Sequence, residues 1–294
     1  MSTPRPTTLH LLLLALTLLA HLALATPITS PSTKEKPNSN LNRRAPDLSC
    51  LTLPTNPTAS TPLPAVPAHL KLKHIALGVG TQNYTCATPG SSAATPSSAG
   101  ALASLYDIGP FLASPLGRMF ENALPPLALA MYGALSSPSS PSDHAAAWRS
   151  LVAQMPRQRQ AAGGGDLLAD VVFGEHFFAE VEASLTPTWD LLPNANMYPD
   201  EPRSVVWQGK KEASADAPRD ACKGLQGEGA VPWLYLSKAV RNASAAEGGD
   251  DSGDGIEAVY RVVTAGGMQP DTCEGVEGPE VEVKYAAEYW FYGS

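Results

Sequence analysis

The stretch that most constrains the fold is the C-terminal block from Val231 to Ser294, which holds three strand-like runs: VPWLYLSKAV, EAVYRVVTAGGMQPDTCEG and VEVKYAAEYWFYGS. From Val281 to Phe291 every odd position is apolar, through Val283, Tyr285, Ala287 and Tyr289. The even positions begin with Glu282 and Lys284 and end with Trp290 and Tyr292. That alternation describes a half-buried antiparallel strand. Val231 to Leu236 is apolar on both parities, as in a central strand, and Glu257 to Ala265 sets Val259, Arg261 and Val263 against Tyr260, Val262 and Thr264. An acidic loop, Ser244 to Gly255, separates these two runs. Thr264-Ala265-Gly266-Gly267 reads as a tight turn, because glycine admits positive φ. Arg261 is expected to partner a buried or cross-strand carboxylate such as Glu288.

Upstream, short strand signals alternate with Gly, Pro and Ser. In HLKLKHIALGV, His69 to Val79, the apolar parity changes near His74, which predicts a bulge or a strand buried on both faces, ended by Gly78 and Gly80. Further strands are expected at Ala101 to Asp107, around Val171 to Phe178, and at Ser204 to Lys210. Ile108 to Leu135 is apolar but interrupted by Pro110, Pro115 and Pro125-Pro126, so short helices are expected there and a membrane span is not. A short helix from Asp143 through Met155 follows a Ser/Pro linker. The fold class is therefore mainly β, an antiparallel sandwich or barrel-like single domain with short helical insertions.

The N-terminus points to secretion. Arg5, the apolar run Leu11 to Leu24 and the Ala23-Leu24-Ala25 pattern describe a signal peptide over residues 1–25. Residues 26–44 are polar and Pro/Ser-rich, a disordered leader ending in the dibasic Arg43-Arg44, which is either a site for a kexin-type protease of a fungal secretory pathway or a chance pair in the leader. The domain then spans 45–294. Residues 1–44 hold five of the 20 basic residues and one of the 28 acidic ones, so the mature chain keeps 15 and 27 and a net charge of −12. That field repels phosphate backbones and anionic lipid, so neither nucleic acid nor membrane is an expected partner after signal cleavage. Four cysteines, Cys50, Cys86, Cys222 and Cys273, read as two disulfides in a secreted chain. Sequons at Asn83 and Asn242 are candidate glycan acceptors, Asn242 the better placed of the two.

TQNYTC at 81–86, the Gly174/His176/Phe178 pattern, PTWD at 187–190, VPWL at 231–234, YRVVTAGGMQPDTC at 260–273 and YAAEYWFY at 285–292 together resemble one family. It is the secreted domain-of-unknown-function family thirty-four fifty-five, with fungal and bacterial members, some labelled malate dehydrogenase. The resemblance runs from Leu70 to Gly293 with gaps. It implies that Cys86 and Cys273, in the two most widely shared motifs, pair with each other, leaving Cys50 to Cys222. Fungal members carry a cysteine shortly after the ALASLYD-like strand, where this chain has Ile108-Gly109-Pro110, and Cys222 is correspondingly unusual. The dehydrogenase label finds no support. In Gly78-Val79-Gly80-Thr81-Gln82-Asn83 the third glycine of a dinucleotide loop is replaced, and neither a helix nor the ribose-binding acid follows.

Chemistry-bearing candidates are few. His176, beside Glu175 and upstream of Trp189 and Asp190, forms the best polar-aromatic cluster. It would be a ligand pocket or an acid/base pair. The plainer reading, a histidine hydrogen-bonded inside the sheet with Trp189 as core, is the favoured one, since spacing alone does not establish contact. His74 and Asp107 complete the catalytic candidates, and a site made of His74, His176 and Asp107 lacks HxH or HExxH spacing, so no metal is expected. No GxSxG elbow or GK[ST] loop occurs, and no cofactor is implied. The sequence thus describes an extracellular binding protein whose ligand would be a polysaccharide, a small molecule or a host protein. The rival is an extracellular hydrolase or metal-dependent enzyme with its pocket near His176 and Trp189.

Overall fold

The computed structural model describes residues 46–135, 172–181, 183–193, 198, 204–239 and 255–294. The expected signal peptide, leader, Asp143 helix and Asn242 sequon lie outside them.

Eight strands run in chain order: β1 (Lys71–Thr85), β2 (Ser97–Asp107), β3 (Val172–Val181), β4 (Ser184–Leu191), β5 (Val205–Ala215), β6 (Trp233–Lys238), β7 (Ile256–Gly266) and β8 (Glu280–Gly293). Each pairs antiparallel with the next, and β8 returns to β1, closing an up-and-down barrel. Closure removes the exposed edges that an open sheet would leave. Of the two architectures open from sequence, this is the barrel.

Two apolar layers hold it. The inward layer includes Ala76, Leu105, Phe173, Trp189, Trp207, Val259, Tyr289 and Phe291. A second layer lies outside the wall on β1, β7 and β8, where Ile75, Leu77, Val262, Ala286 and Trp290 meet α1 (Gly109–Ala113), α2 (Leu124–Leu135) and an N-terminal strap carrying Leu51, Leu53 and Val66. This cover explains where β8 departs from the expected half-buried strand: Tyr285 to Phe291 is buried on both faces. At about 25 cal/mol per Å² of apolar surface, a second buried face adds materially to stability.

Several local readings change for physical reasons. β1 does not end at Gly78 and Gly80 but runs on to Thr85. Both glycines lie within the wall: a Cβ on Gly78 would stand 2.5 Å from the Tyr289 ring, and one on Gly80 would collide with the Leu102 carbonyl oxygen. They are spacers for inward packing, not a phosphate loop. The parity change near His74 coincides with a register shift between Leu72 and His74. The Pro125-Pro126 pair opens α2 rather than interrupting a helix, since proline is tolerated where backbone N–H groups have no intrahelical acceptor.

Cys86 and Cys273 are joined by a disulfide beside the end of β1. The expected Cys50–Cys222 bridge is not formed; both are free thiols, Cys50 exposed and Cys222 half-buried. Strap and loop are held together without it: Asn56 donates from Nδ2 to the Asp216 carbonyl (2.7 Å), and Leu51 and Cys222 pack against the same outer layer. Asn83 sits on β1, half-buried, in register with Gly100 and Glu282. Among the described residues no helix is long and apolar enough to cross a membrane.

Candidate functional site

His176 enters the barrel because of a glycine. Gly174 has φ +139°, and a side chain there would strike the Asp190 carbonyl oxygen. The β2–β3 register shifts beside it, between Leu105 and Tyr106. A bulge of this kind offsets the strand by one residue, and Phe173 and His176, of opposite parity, are both buried. The imidazole stacks on Trp189, with centroids 4.2 Å apart and planes at 15°, and lies 5.4 Å from the Tyr289 ring. Its Nδ1 is 2.9 Å from the Thr188 carbonyl oxygen, an acceptor only, so Nδ1 carries the proton and donates. Burial pushes the His176 pKa down to about 3; the Thr188 carbonyl works against this and the Arg261 charge adds to it. The ring is therefore neutral at any ordinary working pH.

Glu175 and Asp190 stand directly opposite each other in the β3–β4 register, as His176 and Trp189 do one step along. Successive residues alternate faces, so the two acids belong to the outer face and do not reach the imidazole. Both are half-buried, and Asp190 Oδ1 has no hydrogen-bond partner.

His74 and Asp107 lie elsewhere. The His74 ring is 4.8 Å from Phe173 and 4.5 Å from Tyr198, whose hydroxyl donates to Asp107 Oδ2 at 2.6 Å. Asp107 Oδ1 accepts the Gly109 amide at 3.1 Å, fixing the entry to α1. The rings of Phe173, Phe291 and Trp189 form a contact chain between His74 and His176, with steps of 5.9 and 6.5 Å. The two histidines thus stand at different levels of the barrel, separated by aromatic rings of the inward layer. Among the described residues no group of three or more His, Cys, Asp or Glu side chains is placed to hold a metal ion.

Above the Trp189 layer sits a polar cluster that spacing did not single out. Arg261, on β7 opposite Leu234 and Tyr289, is only 8% exposed. It donates from Nε and Nη2 to the Pro232 carbonyl at 3.3 and 2.9 Å and lies against the Tyr289 hydroxyl. The Tyr285 and Tyr289 hydroxyls are 2.9 Å apart, and burial raises both pKa values, so both are neutral. The expectation that Arg261 pairs with Glu288 fails on parity. Glu288 is on the outer face of β8 beside Trp290, whose indole N–H donates to Glu288 Oε2 at 2.9 Å. Burial pushes the Glu288 carboxyl up to about 8, with the nearby Glu121 charge adding to the effect. The signal for an inward Arg261 was present in its alternation with Val259, one arginine in an apolar stripe.

The fold and site define a class: a disulfide-bonded, closed antiparallel barrel with an aromatic interior and a buried arginine midway along its wall. The chain belongs to the family described as Protein of unknown function (DUF3455), which matches residues 67–293. No curated protein and no solved structure matches it.

Proposed function

We propose that this protein is an extracellular binding protein, a barrel that holds a ligand without transforming it. The observation that carries the reading is the state of His176. A general base needs a pKa near working pH and access to the proton it takes. With its pKa pushed down to about 3, His176 is a weak base; it is only 3% exposed, and its neighbouring acids belong to the opposite face. Stacked on Trp189, it behaves as an aromatic wall element. The signal-peptide pattern and the Cys86–Cys273 bridge support export, since disulfides persist in oxidising compartments.

The test compares wild type with His176→Ala and His176→Gln. Chromogenic esters and glycosides should show no His176-dependent turnover. His176→Ala should lower stability by about 3 kcal/mol, as expected for truncating a buried aromatic. Wild-type hydrolysis that disappears in His176→Gln at an unchanged melting temperature would overturn the binding reading in favour of a hydrolase.

A further inference from the structure

The barrel interior holds more hydrogen-bond donors than acceptors. Arg261 is a permanently charged guanidinium at 8% exposure, and among the described residues no carboxylate pairs with it. Gln82, also 8% exposed, approaches the Tyr285 hydroxyl, yet its Nε2 closes no hydrogen bond. The Trp189 indole N–H, in the same interior, also lacks an acceptor. The unmatched carboxyl oxygens, Asp190 Oδ1 and Glu288 Oε1, belong to the outer face. A buried cation without a counter-charge, and buried donors without acceptors, each cost stability. What the interior lacks is an oxyanion.

The surrounding backbone is built around this spot. Between Val262 and Ala265 the β7–β8 register shifts, and Val263 is held at φ +47°, a left-handed conformation that is a marked outlier for a β-branched residue. The distortion lets Thr264 donate its hydroxyl to the Val231 carbonyl at 2.6 Å. Gly267, at φ +85°, then crosses so close that a Cβ would stand 2.7 Å from Tyr285 and 3.1 Å from Gln82. Strain of this sort concentrates at ligand clamps. Phe178 and Leu234, both half-buried, supply apolar surface at the same level of the barrel.

We infer that the cluster of Arg261, Gln82, Tyr285 and Tyr289 is a binding site for the carboxylate of a small molecule with an apolar tail. The carboxylate takes the guanidinium and the Gln82 amide, and the tail lies against Phe178 and Leu234. The inference rests on the binding reading above and names the ligand chemistry for it.

The probes are benzoate and its neutral counterpart benzamide, measured by calorimetry and by shift in melting temperature. Wild type should bind benzoate and be stabilised by it, while benzamide does neither. Gln82→Leu should bind benzoate roughly tenfold more weakly, and Arg261→Met should bind roughly a hundredfold more weakly or not at all, the range of one and two charge-assisted contacts. A cation kept for binding costs the empty barrel stability, so unliganded Arg261→Met should melt at or above the wild-type temperature. A lower melting temperature, or failure of that variant to fold, would make Arg261 a structural brace and overturn the site. So would benzoate affinity that is absent, matched by benzamide, or unchanged in Gln82→Leu. None of these outcomes touches the turnover test, so this site can fail while the non-catalytic reading stands.

Discussion

Glu288 and His176 are displaced from their ordinary pKa values in opposite senses, and together they determine how stability follows pH. The His176 value falls from 6.5 to about 3, so the folded state refuses a proton that the unfolded chain accepts. Its contribution is complete above pH 6.5 and is lost as pH drops towards 3. The Glu288 value rises from 4.5 to about 8, so the folded state keeps a proton that the unfolded chain releases. Its contribution is complete below pH 4.5 and is lost as pH climbs towards 8. Each amounts to about 1.4 kcal/mol per pH unit inside its window. From pH 4.5 to 6.5 the two slopes cancel, which predicts a plateau there with a fall on either side. Glu121, also raised by burial, acts in the same sense as Glu288 from pH 4.5 upward. Urea midpoints between pH 3 and 9 should trace this dome. In Glu288→Gln the alkaline limb should flatten while the acid limb persists; an unchanged alkaline limb would show that Glu288 does not control it.

At the level of strands and helices, alternation located most of the barrel, and its failures have one cause. The odd face of β8 reads as inward and is inward, because period 2 is a property of the strand itself. The burial of its even face depends on α1, α2 and the strap arriving from elsewhere in the chain, and local pattern does not encode that. The same holds for Gly78 and Gly80, whose role is defined by Tyr289 and Leu102 on neighbouring strands. For the site, spacing brought forward His176 and Trp189, which do stack, but joined them to Glu175 and Asp190, which lie on the other face. Arg261 resembles a cross-strand partner for a carboxylate, although its own alternation with Val259 groups it with the inward residues. The bulge at Gly174 is the element-scale feature open to direct test. Gly174→Ala forces a side chain onto φ +139° and against the Asp190 carbonyl. It should cost about 2–4 kcal/mol, since strain and overpacking add. An unfolding free energy within about 0.5 kcal/mol of wild type, the scatter of neutral surface changes, would mean that β3 can repack without its bulge.

For the whole molecule the decisive event is closure. β1 and β8 form the longest seam of the barrel, and their pairing joins the two ends of the barrel sequence. Non-local pairing of this kind has a high entropic cost in the unfolded chain and forms slowly. The Cys86–Cys273 bridge bears directly on it, linking residues 187 apart in sequence, one just after β1 and the other just before β8. Neighbouring backbone bonds fix the same corner: Cys86 N–H donates to the Pro279 carbonyl at 2.7 Å, and Cys273 N–H to the Ala94 carbonyl at 2.8 Å. Because the native corner is already hydrogen-bonded, the bridge acts mostly on the unfolded state, where a loop of this length is worth about 5 kcal/mol in the chain-entropy account. The double variant Cys86→Ala with Cys273→Ala should therefore keep the β circular-dichroism signature in dilute buffer while losing about 2–5 kcal/mol in urea denaturation. Refolding should slow more than unfolding accelerates if the bridge holds the β1–β8 ends together before the rest of the wall forms. A variant that loses the stability wholly through faster unfolding would place the bridge's contribution in the finished barrel instead.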